Sequence, residues 1–310
     1  MADIVITEFM DEAAVERLAA RYQTIYDPDL VDAPDRLAEL VTEARALIVR
    51  NRTQVRVALL DRAPRLECVG HLGVALDNID GRECERHGIE VFPAIGANDV
   101  AVAEYVIGTM LVLLRGAYHA TDEVAAGGWP RQRLMGREAS GRTLGLIGFG
   151  AIAREVARRA AALGMRIVAH DPFLSGWDPA WAEAQPVSLE RLLKRADVVS
   201  LHVPITSETR HMLGAPEIAM MRTDAILINA ARGGVVEEPA VAEALRGGRL
   251  GGAALDVFDD EPITAESGAV FAGCPNLLLT PHIAGVTQES NVRISALVAD
   301  RVMECLEGKV

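Results

Sequence analysis

Short apolar runs alternate with helical patterns along almost the whole chain, and this alternation is typical of parallel α/β folds. The first third predicts four strands: Ile4–Thr7, Ala46–Val49, Leu66–Gly70 and Glu90–Phe92. A second series predicts six more: Thr143–Gly148, Arg166–His170, Val198–His202, Ala225–Asn229, Gly251–Asp256 and Leu277–Thr280. Helical stretches such as Glu12–Tyr22 lie between the strands. The predicted fold class is therefore α/β, with doubly wound parallel sheets.

The length of the chain predicts two domains. At 310 residues it exceeds the size at which a single hydrophobic core usually stops growing. Six strands with right-handed crossovers fit a dinucleotide-binding domain, which we place at residues 98–286. A predicted C-terminal helix, Gln288–Leu306, returns to the other domain, which is therefore residues 1–97 plus 287–310 and is expected to bind the substrate.

Charge and composition exclude several classes of partner. The net charge of -13 argues against nucleic acid, because phosphate binding needs basic patches. The N-terminus has neither a basic start nor a long apolar run, and the longest apolar stretch, Tyr105–Leu114, predicts a buried helix rather than a membrane span. The four cysteines form no C-x-x-C pair, which favours reduced thiols and argues against a metal site. We therefore expect a cytoplasmic protein with no membrane partner.

Residues 143–171 carry a G-x-G-x-x-A motif between a predicted strand and a predicted helix, the context that a dinucleotide-binding turn requires. Gly148 permits the tight turn, Gly150 lets the backbone approach a pyrophosphate, and Ala153 is small enough for helix–strand packing. The pyrophosphate would lie at the N-terminus of the helix. The alternative is a glycine-rich turn in an α/β domain that binds no nucleotide.

Asp171 follows the second strand of this motif, where a carboxylate can accept hydrogen bonds from both ribose hydroxyls of the cofactor. Its charge would repel a 2′-phosphate, and no arginine stands in the next several residues, so NAD is favoured over NADP. The other cofactor-binding residues are assigned to the start of the helix and to later strand ends: Ala151, Ile152, Val203, Pro204, Ala230, Asp256, His282 and Gly285.

Three charged residues follow predicted strand ends in the same domain, at the edge where open α/β sheets bind ligands. Arg232 offers a planar fork that matches a carboxylate, and His282 can move a proton near neutral pH. Glu261 beside the histidine would favour the imidazolium. Taken singly, each could be a solvated loop residue, a turn acid or an ordinary loop histidine. Their order within one domain favours catalysis on a 2-hydroxy acid.

The strings NAARGGVV, ALDVFDDEP and TPHIAG, with GFGAIA upstream, resemble the D-isomer-specific 2-hydroxyacid dehydrogenase family over nearly the whole chain. The resemblance implies two Rossmann-like domains with the active site in the cleft between them, usually in a homodimer. It assigns catalysis to Arg232, Glu261 and His282. It also implies an NAD-dependent oxidoreductase that interconverts a small D-2-hydroxy acid and its 2-keto acid by hydride transfer.

The resemblance also indicates a loop for the substrate carboxylate. In this family a glycine-rich loop holds the carboxylate partly with backbone N–H groups, and here that loop corresponds to VGHLGVALDNID. Gly73 and Val74 are therefore assigned to the substrate. Two positions depart from the pattern: Ala75 stands where the family commonly has glycine, and His71 where it often has arginine.

A second loop, RNRT, places Arg50, Asn51 and Arg52 beyond the strand Ala46–Val49, and its resemblance to a loop of phosphoglycerate dehydrogenases assigns these residues to the substrate. Arg131 matches a basic position that in those enzymes reaches into the neighbouring subunit's site. Ordinary surface charge is the alternative interpretation for all three arginines.

Two arginines at one strand end of an acidic protein favour a three-carbon substrate with a second anionic group. We expect 3-sulfolactate, because a sulfonate carries one charge whereas a phosphate monoester carries about 1.5 to 2, and because His71 removes a cation. The end of the chain at Val310, without further domains, favours the same substrate. The alternatives are 3-phosphoglycerate, then hydroxypyruvate, glyoxylate or D-lactate. A different class, an NAD-sensing binding protein like the transcriptional co-repressors that share this fold, stays open on the motifs alone.

Overall fold

The computed structural model describes residues 2–308 and divides into two compact units. The first unit runs to Asn98 and resumes at Val286, so the C-terminal helix belongs to it. The second unit is Asp99–Gly285. Each unit is built on its own parallel β-sheet, which confirms the predicted fold class.

The sheet of the first unit has five parallel strands in the order β2-β1-β3-β4-β5. They are β1 (Ile4–Ile6), β2 (Thr24–Tyr26), β3 (Ala46–Val49), β4 (Cys68–His71) and β5 (Glu90–Pro93). The prediction of four strands was wrong by one, because β2 is a three-residue edge strand whose residues are all half-buried and show no alternation. The strand order reverses between β1 and β3, and such a switch point is where an open α/β sheet binds its ligand.

Helices pack on both faces of this sheet: α1 (Glu12–Ala19), α2 (Pro34–Leu40), α3 (Val57–Leu60), α4 (Gly81–Arg86) and the last helix of the chain, α12 (Gln288–Leu306). The bounds of α12 are the predicted ones, whereas α1 ends at Ala19 and is shorter than predicted. Helix α12 buries Ile294 and Val298 in the core with β1 and β3. Gly70 in β4 makes room for it, because a Cβ there would lie 2.6 Å from Cγ1 of Val298.

The sheet of the second unit has seven parallel strands in the order β12-β11-β10-β9-β6-β7-β8. They are β6 (Thr143–Ile147), β7 (Arg166–His170), β8 (Gln185–Pro186), β9 (Val198–Leu201), β10 (Ile226–Asn229), β11 (Gly252–Leu255) and β12 (Leu277–Leu279). The sequence predicted six and missed β8, because two exposed residues at a sheet edge carry no apolar pattern. The order reverses between β6 and β9, so this sheet also has a switch point.

Seven helices belong to the second unit: α5 (Asp99–Arg115), α6 (Thr121–Ala125), α7 (Ala151–Ala162), α8 (Leu189–Arg195), α9 (Ala215–Met220), α10 (Glu238–Arg246) and α11 (Ala265–Gly268). Helix α5 contains the predicted buried apolar stretch and contributes Val106 and Met110 to the core. Within residues 2–308 no single helix is long and apolar enough to cross a membrane; Asp99–Arg115 and Tyr118–Ala125 meet that test only as a pair, bent by 65°.

Candidate active site

The turn after β6 depends on a glycine at its first position. Gly148 has a φ of 83°, and a Cβ there would collide with the carbonyl oxygen of His202. His202 follows β9, the strand on the other side of the switch point. Glycine at position 148 is therefore what allows the two strand ends to approach at the edge where this sheet would bind a ligand.

The N-terminus of α7 has the features of an anion site. Helix α7 begins at Ala151, its N-cap residue is Gly150, and among the described residues no side chain caps it. A Cβ on Gly150 would meet no described atom within 4 Å, so the packing of the chain does not itself require glycine there. Open space beside uncapped helical N–H groups fits the pyrophosphate of a dinucleotide.

Asp171 is held beside this turn by two backbone groups. Its Oδ2 accepts the N–H of Phe149 at 2.9 Å, and its Oδ1 accepts the N–H of Phe173 at 2.9 Å. Each carboxylate oxygen retains a second lone pair, so the ribose hydroxyls can still donate to it. The other predicted cofactor residues of this unit lie at the start of a helix or after strands. Ile152 is in the first turn of α7, Val203 and Pro204 follow β9, Ala230 follows β10, and Asp256 follows β11. Gly285 is the last residue of the second unit.

The structure brings His282 and Glu261 into direct contact, with 2.7 Å between Nδ1 and Oε2. The other carboxylate oxygen, Oε1, accepts the N–H of Phe258 at 2.9 Å. Burial alone raises the pKa of Glu261, but the hydrogen bonds from His282 and Phe258 and the charges of His282 and Arg232 outweigh it and hold the pKa below its usual value. Glu261 is therefore a carboxylate at neutral pH. It holds Nδ1 of the imidazole, so Nε2 is the nitrogen that can exchange a proton with a substrate.

The backbone of His282 adopts an uncommon conformation that Asp256 stabilises. Its φ is 53°, in the left-handed region that residues other than glycine rarely occupy. The N–H of His282 donates to the carbonyl oxygen of Asp256 at 2.8 Å. The buried carboxylate of Asp256 accepts the N–H groups of Ile283 at 2.9 Å and Ala284 at 2.8 Å. The sequence indicated Asp256 only as a cofactor contact, whereas here it positions the loop that carries His282.

A second pair of side chains supports Asp256. The Thr280 hydroxyl donates to Oδ1 of Asp256 at 2.6 Å, so the hydroxyl of Tyr105, 2.6 Å from the same threonine oxygen, must donate to it. Burial raises the pKa of Tyr105 to about 12, so the phenol keeps its proton. Tyr105 lies in α5, 175 positions from Thr280, and no local sequence signal could have found it.

Arg232 lies in the turn directly after β10. Asn229, buried at the end of that strand, ties the turn because its Nδ2 donates to the carbonyl oxygen of Arg232 at 3.0 Å. Gly233 lets the turn approach the next strand end, since a Cβ there would collide with the carbonyl oxygen of Phe258. The charge of Arg232 contributes to the lowered pKa of Glu261. The three predicted catalytic residues therefore lie in one region of the second unit.

In the first unit, the two arginines of the loop after β3 differ in burial and in their hydrogen-bond partners. Nη2 of Arg50 donates to Oδ1 of Asn291 at 3.0 Å, and burial lowers the pKa of Arg50 against the opposing charge of Glu8. Arg52 is exposed and forms an ion pair with Asp32. The side chain of Asn51 between them is exposed.

The loop after β4 is shaped by His71. This histidine is 1% exposed, and neither of its ring nitrogens has a hydrogen-bond partner among the described residues. Burial lowers its pKa, so the imidazole is neutral. A Cβ on Gly73 would lie 2.6 Å from Cε1 of His71, so the packing of the histidine ring already requires glycine there. Val74 is half-buried, and Arg131, in the second unit, is exposed.

Comparisons with known proteins agree with this fold. A model of the D-isomer specific 2-hydroxyacid dehydrogenase NAD-binding domain matches residues 107–284. The chain is 52% identical to the (S)-sulfolactate dehydrogenase of Chromohalobacter salexigens over 99% of each chain. It is 36% identical to the D-3-phosphoglycerate dehydrogenase of Methanocaldococcus jannaschii over 100% of this chain, and spans 58% of that relative. A D-lactate dehydrogenase structure from Aquifex aeolicus, complexed with NAD and lactic acid, has a TM-score of 0.85 at 28% identity, covering 99% of this chain and 96% of that one.

The chain belongs to the D-isomer specific 2-hydroxyacid dehydrogenase family. It is an NAD-dependent oxidoreductase, and its second unit contains the Rossmann-like NAD-binding domain. The predicted family, enzyme class and cofactor are confirmed. In the part of the chain that the structure describes, no group of three or more His, Cys, Asp or Glu side chains is placed to hold a metal ion.

Proposed function

We propose that this enzyme interconverts 3-sulfolactate and 3-sulfopyruvate. The observation that carries the proposal is the 52% identity, over 99% of both chains, with a sulfolactate dehydrogenase. The phosphoglycerate relative is more distant at 36% identity and is covered over only 58% of its length. 3-Phosphoglycerate is therefore the alternative substrate that an experiment must separate.

The name (S)-sulfolactate is compatible with a D-isomer specific enzyme. In 3-sulfolactate the sulfur-bearing carbon outranks the carboxyl carbon, whereas in lactate the carboxyl carbon outranks the methyl group. The same arrangement of groups in space is therefore called R in D-lactate and S in sulfolactate. We assign (S)-sulfolactate to the stereochemical class on which this family acts.

In the proposed mechanism, Arg232 binds the substrate carboxylate through its planar fork and aligns the C2 oxygen. His282 removes the hydroxyl proton with Nε2 during oxidation and returns it during reduction, and Glu261 stabilises the imidazolium between these steps. The glycine turn and Asp171 would hold the cofactor, which would accept the hydride as NAD⁺ when the hydroxy acid is oxidised and donate it as NADH when the keto acid is reduced. Asp171 accepts hydrogen bonds from the ribose hydroxyls and repels a 2′-phosphate. The ratio of kcat/KM with NAD to kcat/KM with NADP measures this preference for NAD.

Replacement of Glu261 by glutamine is expected to shift the pH–rate profile. In the pair, Oε2 of Glu261 lies 2.7 Å from Nδ1 of His282. We expect this carboxylate to stabilise the imidazolium that forms during the reaction, and we expect glutamine to stabilise it less. Keto-acid reduction needs the protonated form, so in Glu261→Gln its rate should fall off at lower pH than in wild type. Initial rates of reduction across the pH range test this. An unchanged profile would show that the two residues are not coupled in the reaction.

We assign the far end of the substrate to the loop after β3, and to Arg50 in particular. Arg50 is the half-buried cation of this loop. Gly73 and Val74 would hold the carboxylate with backbone N–H groups. Arg52 already pairs with Asp32 in solvent, where an ion pair contributes little. We therefore expect Arg50, and not Arg52, to bind the second anionic group of the substrate.

Substrate kinetics test this assignment and the proposed function together. Wild type should prefer 3-sulfolactate over 3-phosphoglycerate and D-lactate in kcat/KM. Arg50→Ala should lose about ten- to a hundredfold on 3-sulfolactate, the value of a charge-assisted hydrogen bond, and little on lactate. Arg52→Ala is the matched control and should change each value less than about threefold. A wild-type preference for lactate, or an equal loss by Arg50→Ala on every substrate, would contradict the assignment.

We also propose that the enzyme is a homodimer that associates through residues 118–135. Four large apolar side chains of this segment are exposed: Tyr118 (64%), Val124 (43%), Trp129 (76%) and Met135 (80%). Exposed apolar groups in one short segment mark interaction surfaces, and two-fold pairs of identical chains are the commonest soluble assemblies. Arg131 lies in the same segment and would reach the active site of the neighbouring subunit.

Sedimentation of the purified enzyme tests the dimer. Wild type should sediment as a dimer, and the double variant Trp129→Ser, Met135→Ser should shift toward the monomer because it removes apolar contact area. Phe173→Ser, which changes a side chain that is 94% exposed outside the segment, is the matched control and should stay dimeric. A monomeric wild type would contradict the proposal.

A further inference from the structure

A buried carboxylate lies at the switch point of the first sheet, next to the proposed anion site. Glu8 follows β1 and is 7% exposed, while the Arg50 loop follows β3, the neighbouring strand across the switch. Oε1 of Glu8 accepts the N–H of Arg50 at 2.9 Å and of Thr53 at 3.0 Å, and Oε2 accepts the N–H of Arg52 at 3.2 Å. Three backbone N–H groups of the loop therefore bind the carboxylate of Glu8.

This carboxylate changes the charge that a substrate meets. The guanidinium of Arg50 donates to Asn291, while the charge of Glu8, which accepts the backbone N–H of Arg50, opposes the effect of burial on the pKa of Arg50. The charge of Arg52 faces Asp32. His71 adds no cation, because burial lowers its pKa and keeps the imidazole neutral. The loop therefore carries two arginines and lies beside two carboxylates, Glu8 and Asp32, so the site is less positive than the two arginines in the sequence suggest.

We propose that Glu8 is a specificity-determining residue: its buried charge beside Arg50 lets the loop bind a singly charged sulfonate and disfavours a doubly charged phosphate. The inference rests on the proposed function. A second negative charge on the ligand would repel Glu8 across a poorly screened interior, and a repulsive element of this kind is how a site rejects a close analogue. Removing the charge of Glu8 should therefore relax the preference for the sulfonate.

The first test uses wild type alone and exploits the titration of the ligand. A phosphate monoester loses its second proton near pH 6, whereas a sulfonate keeps one charge throughout. Between about pH 8 and pH 5.5, the ratio of kcat/KM for 3-phosphoglycerate to kcat/KM for 3-sulfolactate should rise about tenfold or more. Ionisations of the enzyme that affect both substrates equally cancel in this ratio. If phosphoglycerate turns over too slowly, its inhibition constant against 3-sulfolactate replaces kcat/KM.

The second test is Glu8→Gln. The amide oxygen can still accept the two N–H groups that Oε1 accepts, so most of the loop's support remains while the charge is lost. At pH 8 the phosphoglycerate-to-sulfolactate ratio should rise about ten- to a hundredfold over wild type, and its dependence on pH should flatten. Asp32→Asn is the matched control, because it removes one carboxylate beside the same loop but in solvent, and should change the ratio less than about threefold.

The outcomes separate the two proposals. A wild-type ratio that stays constant with pH, or a Glu8→Gln enzyme that loses equally on 3-sulfolactate, 3-phosphoglycerate and D-lactate, would show that Glu8 only supports the loop, and would overturn the inference while the proposed function stands. A wild-type enzyme inactive on 3-sulfolactate would overturn the proposed function itself. If Glu8→Gln does not fold, a wild-type ratio that does not rise as the pH falls is by itself enough to overturn the inference.

Discussion

Replacing His282 by alanine is expected to lower kcat by about 10²- to 10⁴-fold, the range that a positioned acid–base group contributes. The expectation follows from the geometry of the pair, in which Glu261 holds Nδ1 at 2.7 Å and leaves Nε2 to accept the substrate proton. With 38% of its side chain exposed, the imidazole is accessible to a ligand. Steady-state kinetics on 3-sulfolactate measure the loss.

The alanine variant needs a control for backbone strain. An alanine at a φ of 53° costs about 1 kcal/mol or more, so a loss of fold must be separated from a loss of chemistry. Asparagine tolerates the left-handed region, and His282→Asn should lose kcat as severely as alanine does. His211, with a φ of 52°, is the matched control, and His211→Ala should keep kcat while lowering Tm to a similar extent. Near-wild-type kcat in His282→Asn would exclude His282 as the proton shuttle.

The cofactor turn could be predicted from the sequence because all its parts are local. The strand, the turn with Gly148 and Gly150, helix α7 and Asp171 fall within one short stretch. The structure shows a steric reason for Gly148, and it shows open space at Gly150. The same locality explains why α12 has its predicted bounds. Its capping box at Thr287 and Ser290 and its apolar periodicity are both readable along the chain.

The strands that were missed form through neighbours rather than through their own residues. β2 pairs with β1 and β8 pairs with β7 at sheet edges, where a strand of two or three half-buried or exposed residues needs no apolar alternation. Strand order is likewise absent from the local pattern. It decides that Glu8 faces the Arg50 loop across 42 positions, so the role of Glu8 was invisible in the sequence.

In the candidate site, too, the residue types could be read from the sequence, whereas the contacts between them could not. The sequence identified Arg232, Glu261 and His282 as types of residue in a plausible order, and the structure adds that the pair is in contact and that Asp256 positions the loop of His282. The structure also shows that the two arginines of the RNRT loop are not equivalent, because Arg52 forms an ion pair with Asp32. The two arginines in the sequence overstated the positive charge of the loop, because the carboxylates that lie beside it, Glu8 and Asp32, come from other parts of the chain.

Replacing Arg232 by lysine is expected to lower kcat/KM by about ten- to a hundredfold while the protein folds and binds NAD normally. The charge is kept, but a lysine ammonium cannot reproduce two parallel N–H groups directed at the carboxylate and the C2 oxygen. Loss of one charge-assisted hydrogen bond costs about 1.5–3 kcal/mol, which corresponds to this factor. Because the proposed contact strengthens as the C2 oxygen gains charge, kcat should fall in addition to any rise in KM for the keto acid.

The matched control is Arg191→Lys, which makes the same change on the exposed side of α8 in the same unit and should leave every kinetic constant within about twofold of wild type. Titration with NAD separates binding from chemistry, and its dissociation constant should be unchanged in both variants. The turn around Arg232 is held by Asn229 and by the space that Gly233 provides, and the guanidinium adds a hydrogen bond to the carbonyl oxygen of Ala231. Measuring Tm separates any loss of stability from the loss of catalysis. An Arg232→Lys enzyme with kcat/KM close to wild type would show that the substrate carboxylate is held by other groups.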